Sequence, residues 1–379
     1  MAQTASGVRH LYVHLPFCSS RCGYCDFVTV VGREADHARY VRALLRELEL
    51  EGGVLAAPLD TVYLGGGTPT FTEEGALQEL LAALPPSREL TIEANPETVT
   101  PELAATLGAA GVARVSLGAQ SFSARLLSVL DRVASPDDVR RAFYTLRDAG
   151  FDNISIDLIY GIPGQEPADL AHDLAEALAL EPEHVSAYEL EAKPGTRFTH
   201  AHGAALERQA EAMEGYFETV VATLTDDGYR WYETANFCLA PDRAGGRDLR
   251  AKHNLGYWLG RDYLGIGVGA VGTVAGRRVR NAPSLRRYVE ALERGDAPPR
   301  EVEELSPGVQ TAERAMLGLR LDEPLPLADV RAAIDGEELA GLERAGLVSA
   351  GGDAIALTTR GRFLGGGVTA RLLAPTMSR

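Results

Sequence analysis

The chain has 379 residues, 37 Lys+Arg against 53 Asp+Glu for a formal net charge of −16, and 45% hydrophobic residues. That composition supports packed cores in two or three domains and excludes disorder as the main state. The acidic balance argues against a nucleic-acid partner. No run approaches the ~18 apolar residues of a membrane-spanning helix. The opening residues lack a basic stretch followed by an apolar run, so a cytoplasmic protein without a secretory leader is expected.

The first expected strand, over 10–16, runs into three of the four cysteines. Cys18, Cys22 and Cys25 have the spacing C-x3-C-x2-C, whereas Cys238 is remote. In a reducing compartment, clustered cysteines signal metal or catalysis rather than a disulfide. The number of ligands is the chemical point. A structural zinc site is closed by four protein ligands, whereas a [4Fe-4S] cluster on three cysteines keeps one iron open to another ligand. Free thiols, or zinc completed by His14 or His37, are the alternatives.

Downstream, Tyr40, Val41, Leu44, Leu45 and Leu48 recur at helical spacing until Gly52-Gly53 stops the helix. Further strands are expected over 61–67, 89–95, 114–120, 153–160 and 184–190, separated by helical segments. This alternation predicts parallel βα units. Six units fit before about residue 200, as a partial barrel or an open doubly wound sheet. Glu93, Gln120, Asp157 and Gly65–Gly67 fall at the C-terminal ends of strands, the edge where parallel α/β folds place their sites.

Beyond residue 200 the pattern changes. One helix is expected over 208–224, then YRWYETANF and a basic, glycine-rich segment. YLGIGVGAVGTV reads as a glycine-kinked strand and turn, and 281–300 as helical, ending in the linker-like DAPPREVEELSP. The tail from 306 reads as short helices followed by a hairpin, a winged-helix-like unit. With 12 acidic residues against 8 arginines over 301–379, that unit is not expected to bind DNA. The expected α/β organisation is therefore six βα units over 1–235, as a partial barrel or an open sheet, a connecting region over 236–305 and the small domain over 306–379.

The opening LYVHLPFCSSRCGYCDF resembles the radical S-adenosylmethionine (SAM) superfamily, specifically its coproporphyrinogen III oxidase-like branch. GGGTPT, IEANPE, SLGAQSF, DLIYGIPGQ, AYEL with GTRF, YETANF, KHNLGYW and YLGIGVGA follow in the order of that branch. The resemblance implies a (β/α)6 TIM-like partial barrel, the radical SAM core, whose Cys18, Cys22 and Cys25 hold a [4Fe-4S] cluster. It also implies that the open iron chelates SAM. By position, Tyr12, Tyr24, Gly66, Gly67, Thr68, Glu93, Gln120, Arg132 and Asp157 match the family's SAM contacts.

Within the branch, Asp26-Phe27 stands where the oxygen-independent coproporphyrinogen III dehydrogenases have a further cysteine. That feature and His253-Asn254-Leu255-Gly256-Tyr257-Trp258 resemble the heme chaperones called HemW. This implies heme as cargo, His253 as a candidate axial ligand beside Tyr257 and Trp258, an acceptor protein such as a respiratory-chain component, and an electron donor protein. The alternative is the oxidative decarboxylation of coproporphyrinogen propionates in porphyrin biosynthesis. Three positions depart from the branch: Ala134 and Val271 replace histidines, and Lys193 replaces an acidic residue.

Overall fold

The computed structural model describes residues 7–193 and 197–373. Six strands run parallel in chain order: β1 (His10–Leu15), β2 (Leu59–Gly66), β3 (Ser87–Ala94), β4 (Arg114–Gln120), β5 (Ile154–Tyr160) and β6 (His184–Glu189). The helices between them start and stop on local chemistry. Ser135 and Asp138 form a reciprocal capping box for Pro136–Asp148. Tyr40, Val41 and Leu44 turn the apolar stripe of His37–Glu51 into the core.

The sheet extends past both ends of this parallel block. β7 (Tyr229–Glu233) and β8 (Asn236–Leu239) form a hairpin beside β6. β9 (Tyr263–Ile266) pairs parallel with β1, and β10 (Val271–Val274), β11 (Arg277–Asn281) and β12 (Arg300–Glu304) follow antiparallel. The order is β12-β11-β10-β9-β1-β2-β3-β4-β5-β6-β8-β7, an open twelve-stranded sheet that contains the partial barrel.

Cross-strand register sorts the parallel strands into two faces. One carries Leu11, Val13, Val62, Leu64, Ile92, Val115 and Ile156, all buried in the main core under the helices. The other aligns His10 with Thr61 and Glu89, Tyr12 with Tyr63 and Thr91, and Glu93 with Ser116 and Ser155. A face this polar must find hydrogen-bond partners or ligands, and both cavities described below lie on it.

Three expectations change. The helix expected over 208–224 is two helices, Arg197–Ala210 and Met213–Asp226. The linker-like segment contains β12, whose REVEE sequence is almost wholly exposed; an edge strand lacks the apolar alternation that marks a covered one. The connecting region 236–305 supplies five sheet strands, and the 235/236 boundary falls inside the β7–β8 hairpin. Of GTRF, Gly195 and Thr196 lie outside the described residues.

The C-terminal unit has its own core around Leu319, Val330, Leu342 and Ile355, with β13 (Leu325–Pro326), β14 (Val348–Gly351) and β15 (Ala354–Leu357) in the order β13-β15-β14. Arg230–Asp322 at 2.7 Å and Arg320–Glu233 at 2.6 Å tie it to the β7 hairpin. Among the described residues no helix is long and apolar enough to cross a membrane.

Candidate functional site

The cysteines sit on a loop leaving β1 whose base is clamped by its own backbone. Cys18 N donates to Val30 O at 3.0 Å and Val30 N to Pro16 O at 2.8 Å, while Cys25 N closes a turn onto Cys22 O. All three thiols line a cavity of about 1130 Å³ on the polar face. Burial pushes the Cys18 and Cys25 thiols up, and the neighbouring thiols push them further. Three mutually repelling thiolates in one cavity need a compensating positive centre.

A closed zinc site does not form from the nearby histidines. His14 uses both ring nitrogens, on Tyr12 Oη at 3.0 Å and Val28 O at 2.9 Å, and His37 Nδ1 accepts from Glu73 N at 3.0 Å. Among the described residues no group of three or more His, Cys, Asp or Glu side chains is gathered tightly enough for a single metal ion. A four-iron cluster spreads its thiolates over separate corners, farther apart than the ligands of one ion. The open three-cysteine set fits it.

A chain of polar contacts supports the loop. Arg132 Nη1 lies 3.7 Å from Cys22 Sγ, and its Nη2 donates at 2.9 Å to both Asn95 Oδ1 and Gly118 O. Asn95 Nδ2 donates to Thr68 Oγ1 at 3.0 Å, and Thr68 in turn donates to Cys18 Sγ at 3.5 Å. Charge-assisted bonds of this kind fix side chains firmly. Asn95 lies within the IEANPE motif but was not singled out from the sequence; its position one residue past the end of β3 was the available signal.

Glu93 lies in the same cavity with Tyr63 Oη donating to it at 2.7 Å and Gly66 N at 3.1 Å. Desolvation pushes its carboxyl up to about 7 against the opposing effect of these two donors. Asp157, also raised by burial, accepts from Ser116 at 2.7 Å and Ser155 at 3.0 Å. Gln120 ends β4 at φ +67°, where the β4–β5 register shifts, and also lines the cavity. A non-glycine residue held in that conformation is a mark of functional sites.

The glycines have a steric reason independent of any ligand. A Cβ on Gly66, at φ +115°, would fall 2.4 Å from the His14 ring, and one on Gly67 would fall 2.6 Å from the Pro16 carbonyl oxygen.

Cys18, Cys22, Cys25, Tyr24, Gly66, Gly67, Thr68, Glu93, Gln120, Arg132 and Asp157 are thus brought together in one cavity. Tyr12 is not. It stacks 6.2 Å from Tyr63 and lines a second cavity, of about 680 Å³, over β1 and β9–β12.

His253 lines neither cavity. It is 1% exposed, with Nδ1 2.7 Å from Thr61 Oγ1 and Nε2 2.8 Å from Tyr257 Oη, and burial takes its pKa down to about 3. With both nitrogens engaged, it offers no free lone pair to a heme iron in this conformation. Instead it pins the helix Lys252–Trp258 to the polar face, between the two cavities. Asn254 borders the first and Tyr257 the second.

The departures are placed as follows. Ala134 is buried, Val271 lines the second cavity, and Lys193 lies at the first cavity's rim, 3.8 Å from Asp26 and 3.2 Å from Glu191.

The chain is similar to known proteins in sequence and fold. Residues 12–177 match the Radical SAM superfamily model and residues 305–364 the HemN C-terminal domain model. The chain is 38% identical over 375 residues to the heme chaperone HemW of Mycobacterium tuberculosis, covering 96% of this chain and 94% of that one. It is 33% identical to the heme chaperone HemW of Bacillus subtilis, covering 94% and 97%. The fold matches that of the coproporphyrinogen III oxidase HemN from Escherichia coli, a radical SAM enzyme, with a TM-score of 0.79 at 24% identity over 96% of this chain and 90% of that one. The cysteine loop, the polar cavity and near full-length relatives agree: the chain belongs to the radical SAM superfamily and, within it, to the family of the heme chaperone HemW.

Proposed function

We propose that the chain is a heme chaperone that holds a [4Fe-4S] cluster and SAM, binds heme and passes it to an acceptor protein. The observation that carries the reading is 38% identity to a heme chaperone over 96% of this chain. It is supported by an intact three-cysteine cavity on the polar face.

Cys18, Cys22 and Cys25 are the cluster ligands in this reading. When bound, the cluster would supply one-electron chemistry to the sulfonium of SAM. The protein's own residues bind and orient. Arg132 fixes Asn95 and, through Thr68, the Cys18 thiol; Glu93 and Asp157 offer carboxylates to amino or hydroxyl groups; Tyr24 covers the cavity beside Arg132. His253 is a heme ligand only if the helix Lys252–Trp258 releases its contacts to Thr61 and Tyr257. The acceptor is a heme apoprotein, and a reductant protein supplies electrons to the cluster.

The test is an anaerobic preparation followed by heme titration. A brown protein with about four iron and four sulfide per chain, and a saturable Soret shift on adding heme, is the expected result. Cys18→Ala should lose the colour and Cys238→Ala should keep it. A colourless protein with one zinc would sink the cluster assignment. Protein that is fully loaded yet gives no Soret shift, and instead converts coproporphyrinogen, would establish the decarboxylase in its place.

A further inference from the structure

The second cavity has no role in holding the cluster, yet its walls are unlike ordinary surface. Its aromatic side is built by Phe27, Tyr257 and Tyr263, with Val271 on the strand wall. Phe27 is 63% exposed, so an aromatic ring of the cleft wall is open to water. Tyr257 and Tyr263 meet edge to face at 4.6 Å, which fixes both rings. At about 680 Å³, the space falls within the range of small-molecule sites.

Charges of both signs line the cleft, with Asp26, Glu301 and Glu303 beside Arg278 and Arg280. Register places Arg280 beside Val271 on β10 and Glu301 on β12, and Arg278 beside Thr273 and Glu303. Arg278 is occupied, at 3.2 Å from Glu303 and 2.6 Å from Glu313. Arg280 is exposed and, although Glu301 lies opposite, has no ion pair among the described residues. An aromatic cleft with one unpaired guanidinium in its lining suits a flat, apolar ring system that carries a carboxylate.

The cleft is also continuous with the cluster loop. Asp26 and Phe27, directly after Cys25, line both cavities, and the pinned helix Lys252–Trp258 separates them elsewhere. A ligand here would rest against the back of the loop without displacing anything from the first cavity. We propose that the cleft over β1 and β9–β12 is the binding site for the tetrapyrrole, with its macrocycle between Phe27 and the Tyr257–Tyr263 pair and one propionate on Arg280. This rests on the heme-chaperone reading and goes beyond it by locating the cargo outside the SAM cavity.

The test titrates the full chain with hemin and with hemin dimethyl ester, following the Soret band. Arg280→Glu is an exposed change outside the cluster machinery, so iron and sulfide content and SAM binding should stay at wild-type levels. Its hemin affinity should fall about tenfold, the usual weight of one charged hydrogen bond. Wild type should favour hemin over the ester by a similar factor, and Arg280→Glu should lose or reverse that preference. Val271→Trp, which fills the cleft from β10, should weaken both ligands at least as much.

If wild type binds hemin but Arg280→Glu keeps the full preference and Val271→Trp binds normally, the heme lies elsewhere and the assignment of this cleft is overturned. If hemin binds wild type and both variants but is displaced by SAM, the first cavity is the site. If wild type itself shows no saturable hemin binding, the chaperone reading fails along with the cleft.

Discussion

Glu93 is the residue whose environment most directly sets a measurable property. Its carboxyl titrates near 7 because burial outweighs the donors Tyr63 and Gly66. An ionised carboxylate accepts the N–H bonds of the SAM amino group more strongly than a protonated carboxyl does. Affinity for SAM should therefore rise with pH through about 7 and level off above, and Glu93→Gln should bind more weakly and flatten the profile; isothermal titration between pH 6 and 8.5 reads both. A wild-type profile flat across pH 7 would remove Glu93 from that role.

His253 makes the opposite kind of contribution. With a folded pKa of about 3 against an ordinary 6.5, it is neutral in the fold at physiological pH. The unfolded chain takes up a proton below about pH 6.5 that the folded chain refuses, so wild-type stability from this residue is present above that pH and declines as pH falls toward 3. His253→Ala should cost about 1–3 kcal/mol at pH 7.5 through two lost buried hydrogen bonds. The difference from wild type should narrow at pH 5. Denaturant melts at the two pH values check the sign.

At the scale of elements, the cysteine loop depends on the turn that ends β2. Gly67 N donates to Leu15 O and Thr68 N to Phe17 O, both at 2.8 Å, so the strand end and the loop base are one backbone unit. Gly67→Ala would drive a Cβ into the Pro16 carbonyl, which cannot yield without moving the loop. The expected outcome is a loss of about 1–3 kcal/mol and reduced iron content. Gly108→Ala, at an open helical position, should be neutral or slightly stabilising. Equal iron loading in the two variants would show that the loop does not depend on this turn.

The same scale shows what sequence patterns reveal. The six parallel strands were legible because strands covered on one face by helices read as β-branched, apolar runs. The edge strand β12 was not, since REVEE has a single apolar residue and nothing covers it. The break between Arg197–Ala210 and Met213–Asp226 was also hidden, because both halves keep helical periodicity through it.

For the whole molecule, the C-terminal domain does more than follow the sheet. Its Met316, Leu319, Arg320 and Arg362 help line the first cavity, and Arg320 holds the fully buried carboxylate of Glu233 while lying 4.4 Å from the Trp258 ring. Without Arg320 the buried Glu233 keeps only the neutral donors Asn236 Nδ2 and Ala235 N. Arg320→Ala should cost about 1–3 kcal/mol and loosen the domain, seen as a lower Tm and faster proteolysis near residue 305. Arg320→Ala together with Glu233→Gln should recover much of the loss. No recovery in the double variant would mean that the stacking on Trp258, rather than the ion pair, holds the domain.

The ligand chemistry was legible in the chain alone: three cysteines at C-x3-C-x2-C, glycines where β2 ends, and carboxylates in strands, because ligand identity and local spacing are properties of the chain. How those groups are shared out depends on the fold. Strand register gathered Glu93 and Asp157 with the cysteines and sent Tyr12 to a different cavity. Burial left His253, a candidate ligand by resemblance, neutral and hydrogen-bonded on both ring nitrogens. The second cavity was not visible in the sequence, because β1, β9, β11 and β12 become neighbours only through pairing across some 250 residues of chain.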